Sequence, residues 1–154
     1  MRIVLFLTIL LSSFYSNAQI LIDDVGDDWR YKVNCALDTI KKYDNHRFQT
    51  INLYCKRITF WGNNFSTTED EKTIMISSKE MLDGNIYNIS AIIVHETYHL
   101  MNYHENLDEN FEESLAYIWE YEYLIKIPNV DSWLIENAKK QNEKYKGLIL
   151  QSER

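Results

Sequence analysis

The chain of 154 residues has a formal net charge of −7 at pH 7, and 45% of its residues are hydrophobic. The negative charge argues against nucleic acid as a partner, because phosphate backbones are bound by clustered Lys and Arg side chains, and it disfavours docking on anionic lipid. The apolar fraction suffices for a single core, and only four glycines and one proline predict helices joined by short loops.

The N-terminal segment has the pattern of a secretory signal peptide. Arg2 precedes an apolar stretch at residues 3–11, and a polar stretch then ends in Ser16-Asn17-Ala18, the small-x-small pattern of a cleavage site. We therefore predict that residues 1–18 are removed and that residues 19–154 form one secreted or periplasmic domain. The apolar stretch is too short to span a bilayer, and we expect no integral membrane segment after cleavage.

The mature chain begins with a predicted helix. Asp27 or Asp28 caps this helix, which runs to about Tyr43. Apolar residues recur along one face at helical spacing, as expected for a helix that packs on a core. They are Trp29, Val33, Ala36, Leu37 and Ile40.

A second helix is predicted from a cap at Asn45, because apolar residues again recur at helical spacing. They are Phe48, Ile51, Cys55 and Ile58. A strand is the alternative, since Ile51, Leu53 and Cys55 also alternate. Cys35 and Cys55 are an even number of cysteines in an exported chain, which permits a disulfide. Two buried free thiols are the other possibility.

Two strands are predicted before the middle of the chain. Residues 57–61 are rich in β-branched and aromatic side chains and end at Gly62-Asn63-Asn64. A polar loop at residues 66–72 then leads to a second strand at residues 73–77. We expect the two strands to pair as a hairpin, with residues 73–77 at the edge of the sheet.

The sequence His95-Glu96-Thr97-Tyr98-His99 is an H-E-x-x-H motif. On a helix this spacing directs both imidazoles to one face, where they can bind a single Zn²⁺ with the glutamate beside the reactive water. Zinc acidifies that water, and the glutamate can accept its proton.

The residues around the motif predict a buried helix. Asn88 or Ser90 caps it, an apolar run at residues 89–94 leads into the motif, and the helix ends near Tyr103. Buried ionisable groups cost several kcal/mol unless they are paired or bind a metal. The alternative to a metal site is a pair of histidines satisfied by hydrogen bonds in the core.

A catalytic zinc site has three protein ligands, so a third ligand is needed. Residues 104–108 are read as a turn and residues 109–127 as a returning antiparallel helix, which places residues 112 and 113 opposite His99. Glu112 and Glu113 are therefore the candidates, whereas Glu109 lies too near the turn and Glu120 two turns too far. Asn110 and Glu113 also have capping-box spacing, which offers a purely structural role for Glu113.

The motif followed by Glu113-Ser114-Leu115-Ala116 resembles the gluzincin group of zinc metallopeptidases, over about residues 72–123. The resemblance implies His95, His99 and Glu113 as ligands of one Zn²⁺ and Glu96 as the general base. The metzincin pattern does not fit, because His104 lies one residue short of that family's third histidine.

Tyr117, one helical turn beyond Glu113, is the first choice for a residue that stabilises the oxyanion formed during hydrolysis. Tyr103 and His104 are the next candidates. The remaining aromatic residues are expected mostly in the core. Pro128 ends the returning helix, and a last helix follows at about residues 130–148.

These features predict an α+β, mostly helical domain with a zincin-like core. A small β-hairpin or edge strand lies beside the active-site helix, and a returning helix carries the glutamate. The predicted function is zinc-dependent hydrolysis of a peptide or protein substrate, which adds as an extended strand to the edge at residues 73–77. A catalytically silent binding module and a zinc hydrolase of a non-peptide amide are the alternatives.

Overall fold

The computed structural model describes residues 19–23 and 26–152, so the predicted signal peptide at residues 1–18 lies outside the described residues. Most of the described residues are helical, and four short strands form one sheet, which confirms the α+β, mostly helical prediction. The elements in chain order are β1 (Leu21–Ile22), α1 (Asp27–Tyr43), α2 (Asn45–Tyr54), β2 (Arg57–Trp61), β3 (Thr67–Asp70), β4 (Thr73–Ser77), α3 (Ser78–Asp83), α4 (Ile86–Asn102), α5 (Glu109–Leu124) and α6 (Ser132–Ser152).

The sheet differs from the predicted hairpin. Its strand order is β1-β2-β4-β3, and β2 runs parallel to β4 instead of antiparallel. The predicted loop contains β3, which pairs antiparallel with β4 and forms the actual hairpin. The strand β3 was not predicted because its sequence, Thr-Thr-Glu-Asp, has no alternating apolar residues. Such a sequence suits a strand whose side chains are exposed or half-buried.

The edge of the sheet is therefore β3 and not the strand at residues 73–77. Four of the five side chains of β4 are buried, which suits a strand with neighbours on both sides. In β3, Thr67 and Thr68 are half-buried and Glu69 and Asp70 are exposed. Such polar side chains are typical of an edge strand.

The first helix has its predicted bounds, and its stripe faces the core. Trp29 packs edge-on against Phe60 of β2 with ring centroids 5.1 Å apart. The predicted cap is wrong, because the helix follows Gly26 with no side-chain cap, and Asp27 and Asp28 lie in its first turn. Negative charges there still interact favourably with the helix dipole.

The second apolar segment is a helix, and the strand alternative is wrong. Ile51 is buried whereas Leu53 is 66% exposed; two residues of a strand at this spacing would share one face. The cap is Asp44 and not Asn45, since the Asp44 carboxylate accepts a hydrogen bond from the backbone N–H of Arg47.

Both cysteines are free thiols. Cys55 is buried at the end of α2, and its thiol donates a hydrogen bond to the carbonyl oxygen of Arg57 at 3.3 Å. Burial raises the pKa of the Cys55 thiol to about 12. The permitted disulfide between Cys35 and Cys55 is therefore not formed in the structure.

The helix α4 lies at the centre of the domain, where α1, α2, α5 and the sheet pack against it. Its cap is Asn85, whose side chain accepts from the N–H of Asn88, so the predicted caps at Asn88 and Ser90 are wrong. The helix α5 returns along α4, and α6 packs on α5. No helix within the described residues is long and apolar enough to cross a bilayer.

Candidate metal centre

The central helix carries the H-E-x-x-H residues at the predicted positions. His95 and Glu96 are buried, with 8% and 6% of their surface exposed, and His99 is half-buried. The Nε2 atoms of His95 and His99 are 3.3 Å apart. One helical turn therefore places both imidazole nitrogens at one point, as the spacing predicts.

The returning helix brings Glu113 to the same point. Its carboxylate oxygens lie 3.6 Å from Nε2 of His95 and 3.4 Å from Nε2 of His99. A tetrahedral site with bonds of about 2.05 Å has edges of about 3.3 Å between ligand atoms. One ligand atom from each of His95, His99 and Glu113 lies within 4.8 Å of the other two, so the three residues could hold one metal ion.

The start of α5 fixes which glutamate faces this point. Asp108 caps the helix by accepting a hydrogen bond from the N–H of Phe111, so Asn110 lies inside the helix. The capping-box role considered for Glu113 is therefore wrong. Glu113 faces the two Nε2 atoms, whereas Glu112 contacts the opposite nitrogen of His99.

Each histidine is held by a second carboxylate on its Nδ1 atom. Nδ1 of His99 lies 2.9 Å from Oε1 of Glu112, and Nδ1 of His95 lies 3.1 Å from Oε2 of Glu120. Glu120, excluded as the third ligand, is not in the group of candidate metal ligands. Its contact with Nδ1 of His95 was not predicted, because its reach was judged from His99; His95 lies one turn before His99 and therefore faces residues further along the antiparallel helix α5.

These hydrogen bonds imply that a positive charge would stabilise the point between the two Nε2 atoms and Glu113. If each Nδ1–H donates to its carboxylate, both Nε2 atoms carry lone pairs that face each other and the Glu113 carboxylate. Three acceptors then meet at one point, which is unfavourable without a positive charge. Burial lowers the pKa of His95, but hydrogen bonds to Glu113 and Glu120 and the charge of Glu96 outweigh it and raise that pKa to about 10.

Glu96 differs from the other glutamates around this point. It accepts no hydrogen bond from any other residue in the described part of the chain, although it is almost fully buried. Burial raises the pKa of its carboxyl to about 7; His95 opposes this shift, and the charges of Glu113, Glu80 and Glu120 add to it. A buried carboxylate that titrates near neutral pH can act as a general base.

Tyr117 lies beside the candidate metal ligands, one helical turn beyond Glu113. Its ring packs edge-on against the His95 ring at 4.4 Å, and Tyr145 of α6 stacks on it at 5.8 Å with an interplanar angle of 18°. Burial raises the pKa of the Tyr117 hydroxyl above its ordinary value. The hydroxyl therefore stays protonated at neutral pH and can donate a hydrogen bond.

The other two candidates lie further out. Tyr103 is 47% exposed, at the rim of the site. His104 is exposed, and its Nε2 lies 2.8 Å from the Glu71 carboxylate in the turn before β4. His104 does not join the group of candidate metal ligands.

Two cavities meet at the metal centre, and Phe65, Glu96 and Glu113 border both. The acidic cavity, about 410 Å³, is bordered by further glutamates of α5 and the preceding turn. The tyrosine cavity, about 310 Å³, is bordered by Tyr117 and Tyr145. A larger cavity of about 490 Å³ lies between β1, α1 and α2 and contains none of the candidate residues.

Comparisons of the chain with protein-family models, curated proteins and solved structures gave no match. The function is therefore inferred from the residues around the candidate metal centre and the two cavities.

Proposed function

We propose that the protein is a compact zinc-dependent peptidase of the gluzincin type. His95, His99 and Glu113 would hold one Zn²⁺, and Glu96 would act as the general base. The observation that carries this proposal is the convergence of the His95 and His99 Nε2 atoms, 3.3 Å apart, with the Glu113 carboxylate, beside the Glu96 carboxylate, which has no hydrogen-bond partner among the described residues.

A zinc ion bound by these residues supplies a Lewis acid that makes a water more acidic and polarises a substrate carbonyl. Glu96 accepts the proton of the attacking water and later delivers it to the leaving amine. Glu112 and Glu120 keep the imidazole rings oriented by holding their Nδ1–H groups.

Tyr117 is proposed to donate a hydrogen bond to the oxyanion that develops on the scissile carbonyl. Tyr117 borders the tyrosine cavity together with His95 and Glu96. Stacking on Tyr145 limits the motion of the Tyr117 ring, so the donor is positioned before the substrate binds.

The edge strand β3 offers a place for an extended peptide. Within the described residues only one of its sides is paired, with β4, and Ser66, Thr67 and Thr68 border the acidic cavity next to Glu96. A peptide that adds to β3 as a further strand would carry its backbone past the metal centre. This role replaces the one predicted for residues 73–77.

The state of Glu96 favours an enzyme over a silent binding module. Removing most of a carboxylate from solvent without giving it a hydrogen-bond donor costs free energy, and the Glu96 side chain reaches solvent only through the two cavities that it borders. A module that only binds a partner gains nothing from this cost, whereas a general base needs a free oxygen that faces the substrate cavity. The N-terminal pattern of residues 1–18 supports export of such an enzyme.

The proposal is tested on the purified protein by metal analysis and by hydrolysis of an unstructured protein substrate. We expect one zinc per chain, hydrolysis that stops on treatment with a chelator, and recovery when zinc is restored. His95→Ala and His99→Ala should lose the zinc, whereas His104→Ala, which changes an exposed histidine, should retain it. Full zinc retention in both of the first two variants would refute the site.

A further inference from the structure

The acidic cavity has an unbalanced negative charge. Five carboxylates border it, and no Lys or Arg of the described chain borders either cavity at the metal centre. The five are Glu96, Glu105, Glu109, Glu112 and Glu113. Zinc would offset Glu96 and Glu113, and Glu112 contacts Nδ1 of His99, so two carboxylates remain without a partner among the described residues.

The two remaining carboxylates are Glu105, in the turn after α4, and Glu109, at the start of α5. Both are exposed, and neither forms an ion pair with any residue that the structure describes. In the tyrosine cavity, by contrast, Glu120 contacts His95 and Glu80 accepts a hydrogen bond from the Ser66 hydroxyl. The free negative charge is therefore concentrated in the acidic cavity.

The buried Glu96 side chain is a second observation, beside the excess negative charge, that points to a ligand in the acidic cavity. The Glu96 carboxylate borders it, has 6% of its surface exposed and has no hydrogen-bond partner in the described part of the chain. A cleft lined by charges of one sign attracts ligands of the opposite charge, because its low-dielectric walls focus the electric field.

The direction of β3 relates the two cavities to a bound peptide. Ser66, just before the strand, borders both cavities, whereas Thr68 borders only the acidic cavity. Antiparallel pairing is the more stable arrangement. A peptide that pairs antiparallel with β3 would therefore place residues on the amino-terminal side of its scissile bond in the acidic cavity.

We propose, on the basis of the peptidase function above, that the acidic cavity selects substrates with a cationic group on the amino-terminal side of the scissile bond, held by Glu105 and Glu109. The cation is either a Lys or Arg side chain or a free α-ammonium group.

The test uses the zinc-loaded protein and a mixture of unstructured peptides whose cut sites are read by mass spectrometry. One cleaved peptide is then remade with Lys or norleucine before the scissile bond and with blocked ends. A third peptide begins at that norleucine with a free amine, which separates the α-ammonium from the side-chain source.

We expect kcat/KM to favour a cationic peptide over its neutral partner by roughly three- to thirtyfold, since each partly exposed carboxylate contributes modestly. In Glu105→Gln/Glu109→Gln the ratio should fall to about one. In Glu136→Gln/Glu143→Gln, which removes the same charge from the exposed side of α6, the ratio should persist.

Equal rates for cationic and neutral peptides, a preference that survives in Glu105→Gln/Glu109→Gln, or basic residues found only after the cut would each overturn the cation site. If the zinc-loaded protein cleaves no peptide, the peptidase proposal itself fails. Calorimetric binding of short blocked Lys and norleucine peptides then decides the cation site: a Lys preference that the Glu105→Gln/Glu109→Gln variant loses supports it, and equal binding overturns it.

Discussion

Each imidazole of the metal centre is held on both of its nitrogens. The Nε2 atoms face Glu113, while the Nδ1 atoms contact Glu112 and Glu120. The two adjacent glutamates of α5 therefore have different roles, because one helical position rotates a side chain by about 100°. One is a candidate ligand, and the other orients a ligand.

Substitution of these two glutamates should separate the roles. Glu113→Ala removes a candidate ligand, so we expect loss of zinc from the purified protein. Glu112→Ala leaves all three ligands and should retain zinc with affinity lowered by about 10- to 100-fold, the usual effect of losing an orienting partner. Competition with a chromophoric chelator measures both, with Glu136→Ala as the control. Zinc loss in Glu112→Ala and retention in Glu113→Ala would exchange the assignments.

The proposed oxyanion donor is tested by Tyr117→Phe, which keeps the ring contacts with His95 and Tyr145 and removes only the hydroxyl. We expect kcat to fall by about 10²- to 10³-fold, as for loss of one oxyanion-hole donor, with zinc content unchanged. Tyr103→Phe and His104→Ala test the other two candidates and should change kcat little. A Tyr117→Phe variant as active as the wild type would assign the role elsewhere.

At the scale of residues, the motif spacing was sufficient to predict the convergence of His95 and His99, because one helical turn fixes it. The antiparallel return of α5 predicted that Glu112 or Glu113 lies opposite His99. The resemblance of residues 113–116 to the gluzincin pattern then favoured Glu113. Glu120 was missed, since its distance was judged from the wrong histidine. Its spacing of seven residues from Glu113, two turns on the same helix face, was the available indication.

At the scale of elements, helices were easier to predict than strand pairing. The bounds of β2 and β4 follow from their apolar and β-branched side chains, but nothing local distinguishes a parallel neighbour from an antiparallel one. The edge strand β3 has a polar sequence and is stabilised by pairing with β4. Its existence and register therefore depend on contacts that a local pattern does not contain.

A buried ion pair between Asp44 and Arg47 lies at the start of α2, and Arg47 also contacts Glu122 of α5, whose side chain is half exposed. The Arg47 guanidinium donates to Asp44 at 2.6 Å and to Glu122 at 2.8 Å and lies over the Trp119 ring at 4.1 Å. Lys126 also contacts Asp44, at 2.7 Å. Burial alone would raise the pKa of Asp44, but hydrogen bonds from Lys126 and Arg47 hold it below its ordinary value of 3.8.

Asp44→Asn keeps a good helix cap and removes the charge, so it isolates this pair. We expect a loss of about 1–3 kcal/mol in the free energy of unfolding at pH 7, because Arg47 loses its buried carboxylate partner and keeps only the half-exposed Glu122. Because the pKa of Asp44 is lowered in the folded protein, its charge stabilises the fold at pH values above the ordinary pKa. This stabilisation is lost as the pH falls and the carboxylate becomes protonated. The deficit of the variant should therefore shrink below about pH 3.8. Urea unfolding at several pH values measures this, and a pH-independent deficit would contradict it.

At the scale of the whole molecule, α4 is surrounded by α1, α2, α5 and the sheet, so its polar residues are buried by the rest of the domain. The apolar run before the motif predicted that this helix is buried, and the hydrophobic stripe of α1 predicted that α1 packs on the core. The core thus fixes the two histidines, and α5 and the preceding turn supply the carboxylates. The arrangement places the candidate metal ligands, the proposed general base and a charged cavity within one small domain.

The most direct test of the proposed enzyme compares the wild type with Glu96→Gln for zinc content, thermal midpoint and hydrolysis rate. Glutamine keeps the size of the side chain but cannot accept the proton of a water. We predict equal zinc content, a native-like fold and hydrolysis reduced by at least about 10²-fold, the lower value for loss of a general base. A Glu96→Gln protein that hydrolyses substrate as fast as an active wild type would contradict the account.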